Sequence, residues 1–303
     1  MYNFEEQIIC EFCVTSEQKH INYVYLELLK EFEKLCKKQN ITYYVSYGAL
    51  IGAIRHKGFI PWDDDVDILV PRPDFNKLAE MSNEEFGAVF PFFLQTPKND
   101  PQYGDLAIRF RKSDTAFFTS DDVQVLKRNE YKPQYNLGIS ISIMPLDAFP
   151  RHIMGQKLQL FFTKGLGSLI YRYNLRAGRF VPLKIACIAI GKVVGAKNLS
   201  KIFHSFYSVY NIEKADKVQS FEGHYRAHTL WDRELYEKVI YVPFEDITIP
   251  VPAGYDRILR ETYGNYMEFP PEEKRIGKHA YYVSWSESYI DAAKKLRDGS
   301  IKI

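Results

Sequence analysis

The stretch Tyr47-Gly48-Ala49-Leu50-Ile51-Gly52-Ala53-Ile54-Arg55-His56-Lys57-Gly58-Phe59-Ile60-Pro61-Trp62-Asp63-Asp64-Asp65-Val66-Asp67-Ile68-Leu69-Val70 decides the fold, because four acids crowd the start of a strongly apolar run. Alternate residues of a strand share a face, so the spacing sets Asp63, Asp65 and Asp67 on one side and Val66, Ile68 and Val70 toward a core, with Asp64 facing away from the other acids. Carboxylates two residues apart along a strand are roughly 6.5 Å apart. At an effective dielectric near 20, such a pair repels by about 2.5 kcal/mol. A cation among them relieves that repulsion, and hard oxygen ligands favour Mg²⁺ or Mn²⁺ over zinc. The plain alternative is a solvated acidic turn ahead of a strand.

Upstream, Ile41 to Ser46 reads as a strand, and Gly48 opens a short helix to about Arg55. Exposed N–H groups and the helix dipole make such a terminus suited to phosphate, and Arg55, His56 and Lys57 add positive charge. The Gly48-x-x-x-Gly52 spacing alone fits close helix packing equally well; its place beside the aspartates gives it weight.

Arg55 to Ile68 resembles the hallmark of the LicD group of the nucleotidyltransferase superfamily. The likeness continues through Ile108 to Phe117, Gly138 to Asp147, Val251 to Tyr255, Tyr263 to Met267, and Pro270 to Arg275, sparing about 151–220. Members resemble phosphocholine transferases of bacterial surface glycans such as lipopolysaccharide, teichoic acid or capsule, with fukutin-related protein a distant relative. The resemblance implies an α/β fold, a nucleotidyltransferase-like mixed sheet flanked by helices with a helical insertion. It divides the chain into a catalytic core at 1–150, a helical insertion at 151–220 and a C-terminal part at 221–303 that completes the core domain. It also implies a CDP-linked alcohol donor, a glycan or lipid-linked glycan acceptor, Asp63, Asp65 and Asp67 as metal ligands, and donor binding by Gly48, Arg55, His56, Lys274 and Arg275. Where the family pattern has a third carboxylate, this chain has Ser142. Strand parity keeps Ser142 on the polar face with Ser140, but a hydroxyl is no base at neutral pH. Either Asp147, past Pro145, takes over part of that role, or the enzyme works with fewer carboxylates, or activity is reduced or lost.

The remaining sequence frames this reading. Strands are expected at about 105–111 and 137–143, with Arg109 and Arg111 on one face, positioned for the donor's phosphates or the glycan. Thr15 and Gln18 stand at capping-box spacing ahead of a helix whose stripe is Ile21, Val24, Tyr25, Leu28, Phe32 and Leu35. Another helix follows Pro73-Asp74. In this chain of 303 residues, 40 Lys plus Arg against 38 Asp plus Glu leave little excess charge, which speaks against bulk binding of nucleic acid. Cys10 and Cys13 lack a second pair at zinc-ribbon spacing. The N-terminus has acids where a secretory signal has basic residues, so a cytoplasmic location is expected, at the inner face of the membrane if the acceptor is lipid-linked. The run Pro182 to Gly195 is too short and too interrupted by Lys184 and Lys192 to span a bilayer; core packing is the simpler reading and an interfacial helix the other. Trp62, Tyr103, Tyr281 and Trp285 are conceivable walls of an aromatic cage for a quaternary ammonium. Two further readings stay open: nucleotidyl transfer by the same acids, and a degenerate member that binds nucleotide or glycan without turnover.

Overall fold

The computed structural model describes residues 2–101, 103, 105–127, 135–162, 193–220, 230–276 and 281–301. A hairpin of β1 (Gln7–Ile9) and β2 (Phe12–Val14) leads into α1 (Ser16–Gln39). Thr15 caps α1 by accepting from the Gln18 amide at 3.1 Å, and Asn40 ends it in a left-handed conformation. All six residues of the expected stripe are buried. They lie on the sheet because that stripe recurs every three to four positions.

Next come β3 (Tyr44–Ser46), α2 (Tyr47–Ile51), a π-helical turn at Gly52–His56, β4 (Asp67–Pro71) and α3 (Arg72–Glu80). They are followed by α4 (Asn83–Phe86), β5 (Phe92–Gln95), β6 (Ile108–Lys112), β7 (Ala116–Phe118), α5 (Ser120–Lys127) and β8 (Ile139–Phe149). The later elements are α6 (Ile153–Phe162), α7 (Ala196–Tyr207), β9 (Lys217–Ser220), β10 (Leu230–Asp232), the hairpin β11 (Val239–Phe244) and β12 (Ile247–Pro252), α8 (Tyr255–Tyr263), β13 (Tyr282–Ser284) and α9 (Tyr289–Arg297).

Seven of these strands form a mixed sheet in which β10, β9, β8, β4 and β3 are neighbours in that order and β5 and β6 join through β8. The β4–β8 pair is parallel and the others are antiparallel. One face carries Val45, Ile68, Val70, Phe110, Ile141 and Ile143 against α1. On the other face Tyr44, Leu69, Met144 and Leu146 pack with Phe203 and Tyr207 of α7 and with Trp231. This is the mixed α/β fold that the apolar spacing implies.

Some sequence expectations are corrected. The strand expected to stop near residue 143 continues through Pro145 to Phe149. Proline costs a ladder hydrogen bond only where its N–H would have donated. On one edge β8 pairs with β6 through residues 139–143 and with β9 from Leu146 onward, so Pro145 falls where the partner changes. The acids are not one strand face, since β4 begins at Asp67 and Asp63 to Asp65 lie in the preceding loop. Within the region read as a helical insertion, α6 and α7 are helices, whereas Lys217–Ser220 is a strand of the main sheet. The run at 182–195 lies, up to residue 192, outside the described residues, and no described helix is long and apolar enough to cross a membrane.

The Arg72–Asp147 pair is flanked by His204, whose Nδ1 is 3.1 Å from an Arg72 terminal nitrogen. Burial, reinforced by Arg72, lowers the His204 pKa to about 3. His56 falls to about 4 through burial and Arg55. Both are neutral when folded and take up a proton near pH 6.5 when unfolded. Their contribution to stability is therefore full above pH 6.5 and is lost as pH falls toward 4. Unfolding free energies from urea titration should drop over that window, by up to about 1.4 kcal/mol per pH unit for each histidine; a profile flat from pH 7 to 4.5 contradicts the assignment.

Candidate active site

Helix α1 clamps the aspartate loop by its backbone. Gln18 donates through Nε2 to the Asp63 carbonyl at 3.3 Å, and the Tyr25 hydroxyl donates to the Asp64 carbonyl at 2.8 Å. Tyr25 is buried, and burial followed by the fields of Asp65, Asp64 and Asp63 holds its pKa well above the ordinary phenol value. Val66, fully buried, anchors the loop to the core before β4 starts. Gly48 is required opposite: a Cβ there would lie 2.2 Å from Asp63 Oδ2. The loop's carboxylate thus rests on a bare backbone at the turn into α2, directly after Tyr47, whose φ of 49° is already left-handed. Gly48→Ala should displace the Asp63 carboxylate without unfolding the chain, since the obstacle is the end of a side chain. The expected outcome is an unfolding midpoint within about 1 kcal/mol of wild type and turnover reduced at least tenfold, about 1.4 kcal/mol.

Across the sheet, register brings a polar row together. Ser46 of β3 pairs with Asp67 of β4, Asp67 with Ser142 of β8, and Ser142 with Arg109 of β6. Register partners present side chains to the same face, so the four residues share one surface beside the Leu69–Met144 core. Arg109 donates from Nη1 to Ser142 Oγ at 2.8 Å and from Nη2 to Asp105 Oδ2 at 3.2 Å. Burial opposes its charge, but Tyr103, Asp105 and Asp67 outweigh that and raise its pKa. Ser46 is 5% exposed, and its Oγ has no hydrogen-bond partner among the described residues.

Other expected site residues are placed elsewhere. Arg111 is buried, donating to Gln95 Oε1 at 2.5 Å and to the Gly138 carbonyl at 2.6 Å; it is an internal strut, not a solvent-facing partner of Arg109. Asp147 is five positions beyond Ser142 on β8, hence of opposite parity, and is fully buried against Arg72 at 2.5 and 2.7 Å. It does not join the row.

Arg55, His56 and Arg275 gather instead around two aromatic rings. The Arg55 guanidinium lies 6.0 Å from the Trp62 ring and 5.0 Å from Phe269, and that of Arg275 lies 5.3 and 5.6 Å from the same rings. The His56 ring stacks on Phe269 at 5.7 Å. Arg55 Nη1 donates to the Tyr266 and Glu268 carbonyls, and Arg275 Nε to the Pro270 carbonyl, so the C-terminal block is tied to the tryptophan before Asp63. No carboxylate of the described residues pairs with either arginine; burial and then Arg275 lower the Arg55 pKa, offset in part by Cys10. Lys274 is exposed on a short 3-10 turn at Glu272–Lys274. Of the aromatic walls, Trp62 has its ring against these arginines, Tyr103 is buried with its hydroxyl on the Ala107 carbonyl, Trp285 stacks on His20, and Tyr281 is exposed. Asp105, Ser46, Tyr25 and Phe269 escaped the sequence reading. Phe269 stood beside the quoted Pro270–Arg275 block, whereas the others carry no local signal.

The donor set bears on whether a divalent ion fits. Among the described residues no three acidic, histidine or cysteine side chains converge to make a protein-only cage. Mg²⁺ is commonly held by one or two carboxylates, with water and substrate phosphate completing its octahedron. Asp67 on the row, Asp65 at the end of the loop, the Asp63 carboxylate resting on Gly48 and a partnerless Ser46 hydroxyl fit that open kind of site.

Residues 40–131 match the family model described as LicD/FKTN/FKRP, nucleotidyltransferase domain. The lipopolysaccharide cholinephosphotransferase LicD of Haemophilus influenzae is 25% identical over 272 residues, covering 88% of this chain and 96% of that protein. An uncharacterised protein of Rickettsia typhi is 42% identical over 59 residues, 20% of this chain and 18% of its own. One of Rickettsia prowazekii is 46% identical over 48 residues, 16% and 18% respectively.

Proposed function

The chain carries a domain of the LicD family of nucleotidyltransferases over residues 40–131, and on that premise we propose that it transfers a phosphorylated alcohol, phosphocholine foremost, from a CDP-linked donor to a sugar hydroxyl of a cell-surface glycan or its precursor. The observation that carries the reading is the row Ser46–Asp67–Ser142–Arg109, an acid and a cation on one sheet face with a serine hydroxyl between them, next to the aspartate loop. The Haemophilus protein's name supplies the phosphocholine and the lipopolysaccharide.

In this mechanism Asp65 and Asp67, assisted by Asp63, would hold Mg²⁺ or Mn²⁺. The ion, when bound, offsets charge developing on the leaving phosphate oxygen. Arg55 and Arg275, like charges kept together on Trp62 and Phe269 without an acid between them, grip the donor diphosphate; planar guanidinium donors suit its oxygens. His56 is neutral beside them and adds no charge. The acceptor hydroxyl attacks the phosphorus that bears the alcohol, the phosphoanhydride bond breaks, and CMP leaves. Ser142 cannot take the hydroxyl proton at neutral pH, so that proton is released to solvent water. Attack at the nucleoside phosphorus would instead make the protein a nucleotidyltransferase with the same residues.

Calorimetry of the full chain with CDP-choline, CDP-ribitol, CDP-glycerol and UDP-glucose tests the donor. Tight binding of a CDP-alcohol should require Mg²⁺ and should weaken by about 1.5–3 kcal/mol in Arg275→Ala, the magnitude of a hydrogen bond to a charged group. Equal affinity for the uridine compound, or binding indifferent to EDTA, overturns the proposal. A wild type that binds the donor yet turns over no acceptor would favour a binding protein, the reading that Ser142 supports.

A further inference from the structure

Resting on that donor chemistry, we infer that Arg109 is a substrate-binding cation that stands where a two-metal site would hold its second ion, so that the protein works with a single divalent ion and one fixed guanidinium. Asp67, Ser142 and Arg109 occupy the same level of three adjacent strands. Neighbouring strands lie about 4.8 Å apart, so the guanidinium stem starts roughly 10 Å from that of the acid. The side chain turns back along the row, ending on Ser142 Oγ at 2.8 Å. A hydroxyl between acid and arginine separates them: a carboxylate at 142 would add a second ion pair to the one with Asp105 and offset more of the guanidinium's field, while serine orients the guanidinium without adding negative charge.

The unused valence of the arginine points the same way. Ser142 takes one N–H from Nη1 and Asp105 one from Nη2. A guanidinium has five N–H donors in a planar fork, and the remaining three suit phosphoryl oxygens. Asp105 is in part exposed, so it steadies the fork without burying it. On the far side of Asp67, the partnerless hydroxyl of Ser46 is 5% exposed, a buried polar group still to be satisfied by something that enters the row. A second divalent ion would need carboxylates of its own. Position 142, in register between Asp67 and Arg109, offers it a hydroxyl instead, and the ion would stand against a permanent positive charge. Two-metal sites clamp both the attacking and the leaving oxygen. Here one of those tasks falls to Arg109, with Ser142 as its positioning residue.

The test counts metal ions and measures nucleotide binding separately from turnover. The full chain is titrated with Mn²⁺ in the presence of CDP, free Mn²⁺ being read from its electron paramagnetic resonance signal, and CDP affinity is measured in EDTA. Wild type should saturate at one Mn²⁺ per chain. Arg109→Gln should weaken metal-free CDP binding by about tenfold or more, with Arg109→Lys recovering part of it. Ser142→Asp should lose that metal-free affinity and admit a second Mn²⁺, while Ser142→Thr, which keeps the hydroxyl, should match wild type. Two Mn²⁺ per wild-type chain, or metal-free CDP affinity unchanged in both Arg109 variants, overturns this inference and leaves the proposed reaction standing. No Mn²⁺ bound with CDP present overturns both.

Discussion

Asp147→Asn should lower the stability of the chain by about 3–5 kcal/mol, the cost of stranding a buried charge whose partner has been neutralised. The Arg72 and Asp147 side chains are 3% and 0% exposed, and two nitrogens of one meet two oxygens of the other at 2.5 and 2.7 Å. Arg72 also lies over the Phe75 ring at 5.0 Å, with His204 kept neutral beside it, so no other anion among the described residues beside it can take over. Replacing both partners, Arg72→Met with Asp147→Leu, should recover most of the loss, because the pair's attraction is largely spent on its own desolvation. Urea unfolding of the single and double variants decides this. Activity per folded molecule should stay near wild type in Asp147→Asn; a specific loss of turnover with unchanged stability would return Asp147 to the reaction.

Asp67→Asn should remove nearly all turnover while the chain stays folded. The residue opens β4 in register with Ser46 and Ser142 and is partly exposed, so the amide fits the same space. What it loses is the charge that would hold the proposed cation and that acts on Arg109. A fall of at least a hundredfold is expected, about 2.7 kcal/mol at the barrier, with the unfolding midpoint within about 1 kcal/mol of wild type. Asp64→Asn should be milder, because the loop is gripped there through the Asp64 carbonyl, which the substitution leaves intact.

Much of the architecture was legible because it is written in local periods. Thr15 and the apolar stripe after it gave α1, and alternation of Ile139, Ile141 and Ile143 with Ser140 and Ser142 gave the sheet face. What escaped the sequence depends on partners far along the chain. The aspartates were read as a strand because their spacing suits one, yet Asp63 and Asp64 are held as loop by Gln18 and Tyr25, 45 and 39 positions away. Arg55 looked like a phosphate ligand beside a helix terminus; its bonds to the Tyr266 and Glu268 carbonyls span more than 200 residues. Arg109 and Arg111 have the same parity and opposite fates, since Gln95 and the Gly138 carbonyl absorb one while Ser142 and Asp105 hold the other at the row. Pro145 looked like a strand end because a change of pairing partner cannot be read from one strand.

The central claim is tested most directly by following both products from CDP-choline labelled with ³²P on the phosphorus next to choline. A lipopolysaccharide acceptor free of phosphocholine, Mg²⁺ and the full chain complete the reaction. The account predicts label on the glycan and one unlabelled CMP released per label transferred, with both lost in EDTA and in Asp67→Asn. Transfer of a cytidylyl group to the acceptor, or labelled phosphocholine on the glycan at an undiminished rate in Asp67→Asn, would contradict it.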